Sequence, residues 1–317
     1  MKGVLVSLGI LFVVVMAVFV FIPQAQGVVL PMPGTVGELV RESEGKAPVD
    51  GVVHHDLVYK RARFGGHRLD LYEPLGSFEG RRSPLVIFFH GGSWIHGDKI
   101  TIRVVDRFLE RMRRAGYFVA SVNYTTTVFR GLTGPVENAK AALRRLGEWA
   151  DEYGYDRHNI GLYGVSAGGH VALMAASTMD EREDFSLAFV FAECAPTDLV
   201  GMRDGEAFEH SVVFRAFPER KLRSLSPITH VNDRLPPVLL YHGGRDRTVD
   251  VRQSERYADV LQEAGLPVDL VIYPEGDHAF LNLSDETWFE QETRGLAWFE
   301  KQFRRRSVSP VAPEPAE

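Results

Sequence analysis

Gly164-Val165-Ser166-Ala167-Gly168 is the stretch whose reading decides the fold. The apolar run Ile160-Gly161-Leu162-Tyr163 precedes it, and Gly169-His170-Val171-Ala172-Leu173-Met174-Ala175-Ala176 follows with helical character. Strand, Gly-x-Ser-x-Gly, helix is the context of a nucleophile elbow, a turn so tight that glycines are needed two residues to either side of the serine. The serine is then held in a strained backbone conformation with its hydroxyl presented to a cleft. Five residues alone also fit an ordinary Gly-rich turn before a helix, so the rest of the chain has to separate the two readings.

Around the elbow, strands and helices alternate. Residues 56–60 and 67–72 alternate with period two around Gly65-Gly66, which predicts a hairpin with one wet face. Pro84 to Phe89 is a continuous apolar run, as expected for a strand buried on both sides. A strand is expected over 117–122 and further buried strands over 159–163, 187–191, 238–241 and 268–273, with helices over 103–115, 136–153, 167–178, 251–264 and 287–303. The pattern predicts an α/β fold: a mostly parallel twisted sheet with helices on both faces, binding ligands at the carboxyl ends of its strands.

The chemistry-bearing residues fall at those ends. His90-Gly91-Gly92-Ser93-Trp94 directly follows the strand ending at Phe89. Gly91 shapes that loop, while the backbone N–H groups of Gly92 and Ser93, with that of Ala167 after the serine, are candidate donors to a developing oxyanion. Asp246 follows the strand 238–241 in His242-Gly243-Gly244-Arg245-Asp246 and is the candidate acid, ahead of Asp250 because it is nearer the strand end. His278 follows the strand 268–273 on a Gly-containing loop and is the candidate general base. The order Ser166, Asp246, His278 is the one this fold requires. Trp94, Tyr124 and Phe280 each flank a motif loop and are candidate substrate-pocket residues. His170, one turn past Ser166, reads as packing.

Composition sets limits. The chain has 317 residues, 45% hydrophobic and 25% charged, enough to build a core from one large domain. Lys+Arg is 36 against Asp+Glu 42, and no basic–aromatic stripe points to nucleic acid. The single cysteine, Cys194, excludes an internal disulfide and reads as a small buried side chain at a strand end. No metal-ligand spacing, P-loop or Gly-x-Gly-x-x-Gly occurs, so neither metal nor cofactor is expected.

The N-terminus differs. Gly3 to Ile22 is almost uninterruptedly apolar and has the roughly 20 residues that span a bilayer as a helix. It reads as a membrane anchor over 1–22, with a cleaved signal (Ala25-Gln26-Gly27 offering small residues) or a buried core helix as alternatives. Lys2 on one flank against Glu38, Glu42, Glu44 and Asp50 on the other predicts a catalytic domain outside the cytoplasm, either anchored or, after cleavage, secreted or periplasmic. Residues 23–50, with four prolines, read as a linker, 51–303 as the catalytic domain, and 304–317 as a disordered tail.

From about 52 to 303 the chain resembles the α/β-hydrolases of the carboxylesterase and lipase type. Within them it is similar to the acetyl-esterase/lipase-like (BD-FAE-like) group, whose neighbours include kynurenine formamidases and isoprenylcysteine methylesterases. The likeness rests on the motifs at 90–94, 164–170, 242–246 and 276–280, together with Asn123-Tyr124, Pro196-Thr197-Asp198-Leu199 and Ser226-Pro227-Ile228-Thr229. It departs at Val165, where relatives often carry His or Asp, and at Ser93, where many have a third glycine. The resemblance implies a serine hydrolase of small-molecule carboxylic esters, with the segment 199–225 either covering the pocket or packing as a surface helix pair. An arylformamidase or amidase on the same triad, and a non-catalytic binding module, are the competing readings.

Overall fold

The computed structural model describes residues 50–308 apart from 63–64, 80, 104–105, 126–132, 181, 206–213 and 216. Its centre is an eight-stranded sheet. Strands β1 (Val53–Ala62) and β2 (Gly65–Tyr72) form the expected antiparallel hairpin. β3 (Ser83–Phe89) pairs parallel with β4 (Phe118–Val122) on one side and with β5 (Tyr155–Val165) on the other, while β2 joins the outer edge of β4 antiparallel. β6 (Leu187–Glu193), β7 (Val238–Gly243) and β8 (Val268–Tyr273) continue the parallel run, giving the order β1-β2-β4-β3-β5-β6-β7-β8. This is the α/β-hydrolase arrangement that the motifs implied.

Successive strand residues feed two separate cores, which is why the central strands read as unbroken apolar runs. Leu85, Ile87 and Phe89 of β3 join one core with residues of α2 (Thr133–Tyr153), α3 (Ala167–Thr178) and α6 (Arg252–Glu263). Val86 and Phe88 join the other with Phe108, Leu109 and Met112 of α1 (Asp106–Arg114) and Phe299 and Phe303 of α7 (Asp285–Val308). Two short helices, α4 (Leu199–Asp204) and α5 (Glu219–Arg223), lie between β6 and β7 in sequence.

Two expectations are corrected. The strand 268–273 was expected to be buried, but β8 is the sheet's last strand, pairs only with β7, and buries only Val271 of its six residues. The tail was expected to start at Arg304, yet α7 runs on to Val308. Arg304 pairs with Glu300 one turn back and with Glu79 across the surface, which extends the helix past the last core residue, Phe303. The apolar run from Gly3 to Ile22, the linker up to residue 49, and residues 309–317 lie outside the described residues. Among the described residues, no helix is long and apolar enough to cross a membrane.

Candidate active site

The elbow is built at the end of β5. Ser166 has φ 54° and ψ −121°, a conformation that a non-glycine residue adopts only under strain. Its N–H donates to the Glu193 carbonyl at 2.7 Å, and its carbonyl accepts the N–H of His170 at 3.1 Å to start α3. Gly168 lies so close to the end of β3 that a Cβ there would stand 2.0 Å from the Phe89 carbonyl oxygen. Ser166 itself is 9% exposed.

The structure brings the three expected residues together. His278 Nε2 lies 2.9 Å from Ser166 Oγ, and His278 Nδ1 lies 2.7 Å from Asp246 Oδ2. The other Asp246 oxygen accepts the N–H groups of Thr248 and Val249 at 2.8 and 2.9 Å. Burial by itself would raise the Asp246 carboxyl, but hydrogen bonds from His242 and His278, and then from Val249, hold it well below the usual carboxylate range. Asp250, the other candidate acid, is paired with Arg252 at 2.8 Å.

The loop after β3 is held in the same way, peptide by peptide. Tyr124 stacks on His90 at 4.2 Å between ring centres and donates its hydroxyl to the His90 carbonyl at 2.6 Å. Burial pushes the His90 ring down to about 4, so it is neutral, and its Nδ1 donates to the Gly91 carbonyl at 2.7 Å. The Gly92 carbonyl accepts from Ile95 and His96 at 2.9 and 3.1 Å. With these three carbonyls tied into the loop, the N–H groups of Gly91, Gly92 and Ser93 point the opposite way across their planar trans peptides. Gly92 has φ +118°, and Ser93 and Trp94 also lie in the left-handed region at 52° and 60°. The position where many relatives carry a third glycine is therefore one where glycine would be unstrained.

The three aromatic candidates are buried beneath the loops. Trp94 is 3% exposed and packs edge-on against His170 and Phe214. Its Nε1 donates to His170 Nδ1 at 3.2 Å, and His170 Nε2 donates to the Leu225 carbonyl at 2.7 Å, so His170 is a packing residue, as expected. Phe280 is fully buried against Tyr273. Tyr124 supports the His90 loop. Through Phe214 and Leu225, the C-terminal half of the segment 199–225 touches this cluster; Phe208 lies outside the described residues.

Two features were not foreseen. Gln253 Oε1 accepts the N–H groups of Thr197 and Asp198, so the Pro-Thr-Asp-Leu motif clamps the start of α4 onto α6. Behind the elbow, the Glu193 side chain accepts from Tyr163 and Gln291, both at 3.2 Å. Burial pushes this carboxyl up to about 8 despite those two bonds, and Glu292 adds to the rise. Only a burial pattern could have flagged Glu193 from sequence, because it ends an apolar strand. Cys194, His242 and Asp246 bring ligand atoms within 4.8 Å of one another. His242 Nε2 faces the Val249 carbonyl at 2.9 Å, however, and must carry a proton, and both Asp246 oxygens are engaged, so the set does not suit a metal.

The sheet order, the strained elbow and the strand-end Ser–His–Asp set define an α/β-hydrolase. The match to the BD-FAE family covers residues 69–261, and the chain belongs to that family. It is 25% identical over 240 residues to an isoprenylcysteine alpha-carbonyl methylesterase of Arabidopsis thaliana, covering 69% of this chain and 55% of that protein. To esterase LipC of Mycobacterium tuberculosis it is 25% identical, covering 83% of this chain and 70% of that one. The chain spans about half the length of the methylesterases it matches. Among solved structures, esterase B of Lactobacillus rhamnosis superposes with a TM-score of 0.70 at 20% identity, covering 85% of this chain and 92% of that one. Thermogutta terrifontis esterase 2 phosphonylated by sarin gives 0.64 at 22%, covering 77% and 92%.

Proposed function

We propose that this protein is a carboxylic ester hydrolase that works through an acyl-enzyme on Ser166. The observation that carries the reading is the unbroken line Ser166 Oγ–His278 Nε2 and His278 Nδ1–Asp246 Oδ2, at 2.9 and 2.7 Å. His278 takes the hydroxyl proton as Ser166 Oγ bonds to the ester carbonyl carbon. The N–H groups of Gly92, Ser93 and Ala167 receive the oxyanion, with Gly91 shaping the loop. His278 then passes the proton to the departing alcohol, and the same histidine activates the water that frees the acid. Esterase names among the relatives and a phosphonylated structural neighbour support this chemistry over a non-catalytic module.

The apolar run from Gly3 to Ile22 and the acidic residues after it support a membrane anchor with the catalytic domain on the outer side. A fluorophosphonate probe tests both parts of the reading in one experiment on the full chain. Wild-type protein should label, Ser166→Ala should not, and the labelled band should remain with carbonate-washed membranes. Persistent labelling of Ser166→Ala would remove the assignment of the nucleophile, and a labelled band in the wash would remove the anchor.

A further inference from the structure

We propose that His242 and Ser254 are positioning residues that continue the Ser166–His278–Asp246 line on its far side, so that two imidazoles share one carboxylate oxygen. This rests on the serine-esterase reading above. His242, near the end of β7, and Ser254, in the first turn of α6, are both completely buried. His242 Nε2 faces two acceptors, the Val249 carbonyl at 2.9 Å and Asp246 Oδ2 at 3.3 Å. The ring proton is therefore on Nε2. Nδ1 then offers its lone pair to Ser254 Oγ at 2.7 Å, and the hydroxyl donates. Val249 grips both partners, with its carbonyl on His242 and its N–H on Asp246 Oδ1.

The consequence is electrostatic as well as geometric. Asp246 Oδ2 receives N–H from His278 at 2.7 Å and from His242 at 3.3 Å, so part of its charge is committed away from the base. Removing the His242 N–H would leave that charge undivided on the catalytic line, so the acid limb of Ser166 reactivity should then move upward in pH. The other charged or titratable groups facing this line are the Cys194 thiol after β6, with Glu193 beyond it, and Asp250 before α6. Burial raises the thiol far above its ordinary range, so it stays uncharged, and Asp250 is neutralised by Arg252.

The test is the rate of fluorophosphonate labelling at Ser166 across pH 5–9, on the full chain. His242→Leu should move the acid limb of that profile upward by about half to one pH unit, a roughly 3- to 10-fold slower reaction at pH 6, less than the full worth of a hydrogen bond to a charged group because the contact is long at 3.3 Å and shared with the Val249 carbonyl. Ser254→Ala should move it the same way and by less. His242→Gln, whose amide N–H can reach the same acceptors, should return it toward wild type, which a merely space-filling role would not require. If His242→Leu fails to fold by circular dichroism, Ser254→Ala decides. Superimposable limbs, or His242→Gln behaving like a folded His242→Leu, would overturn the proposal while the esterase reading stood. A wild-type chain that never labels would overturn both.

Discussion

Gly168 shows how a single hydrogen atom in place of a methyl group sets the geometry at the nucleophile. A Cβ there would stand 2.0 and 2.5 Å from the Phe89 and His90 carbonyl oxygens, both backbone atoms that cannot swing aside. Gly168→Ala should therefore cost about 3 kcal/mol by pushing α3 away from β3. A lower midpoint in urea, together with at least tenfold slower labelling of Ser166, would show it; an unchanged midpoint would count against so close an approach. Ser166, Asp246 and His278 were legible because glycine-flanked loops after apolar runs advertise strand ends. Ser254 was not, since its contact with His242 is made by a helix folding back over a loop, and no motif encodes that approach. Trp94, Tyr124 and Phe280 were legible as neighbours of the site, but their direction was not, because a sequence position does not say whether a ring faces the cleft or the layer beneath it.

At the scale of elements, strain is concentrated where the strands end. Ser93, Trp94, Ser166, Cys194, Ala279 and Phe280 all have left-handed backbones after β3, β5, β6 and β8, whereas only Asp56 and Glu79 among the described non-glycines do so elsewhere. Each such residue costs on the order of 1 kcal/mol or more, and the packing of the layers has to offset it. Helix α7 contributes much of that packing: Phe299 is fully buried and stacks on Phe189 at 4.4 Å. Phe299→Ala should destabilise the chain by about 3–5 kcal/mol, measured by denaturant unfolding. A loss below about 1 kcal/mol would mean that α7 is not the support described. The central strands could be recognised from hydrophobicity because both of their faces are covered. β8 was recognised as a strand by the same signal, but its edge position was not, nor was the end of α7, since edge position and a long-range pair such as Arg304–Glu79 depend on what lies alongside.

For the whole molecule, the buried Glu193 links stability to pH. Burial raises its carboxyl to about 8, so the native chain holds this proton over a range in which the unfolded chain, titrating near an ordinary glutamate at about 4.3, has lost it. Between about pH 4.5 and 8 this side chain holds a proton in the native state that the unfolded chain has lost, so its own contribution to stability falls as pH rises through that window, while the buried neutral His90 and His170 act in the opposite direction below about pH 6.5. Glu193→Gln keeps the shape and removes the titration. Its stability relative to wild type should increase steadily from pH 5 to pH 8, read from denaturant midpoints; parallel pH curves for the two proteins would dismiss the effect. The sheet order has a further consequence for how the chain acquires activity. Ser166 and His278 meet across 112 residues, and the base follows the strand that is last in sequence and at the edge of the sheet. Parallel pairings of such separation close slowly, because loop entropy must be overcome before contacts form. During refolding, reactivity toward a fluorophosphonate should consequently lag behind helix formation, and an emerging chain should stay chemically silent until residues beyond β8 have been synthesised.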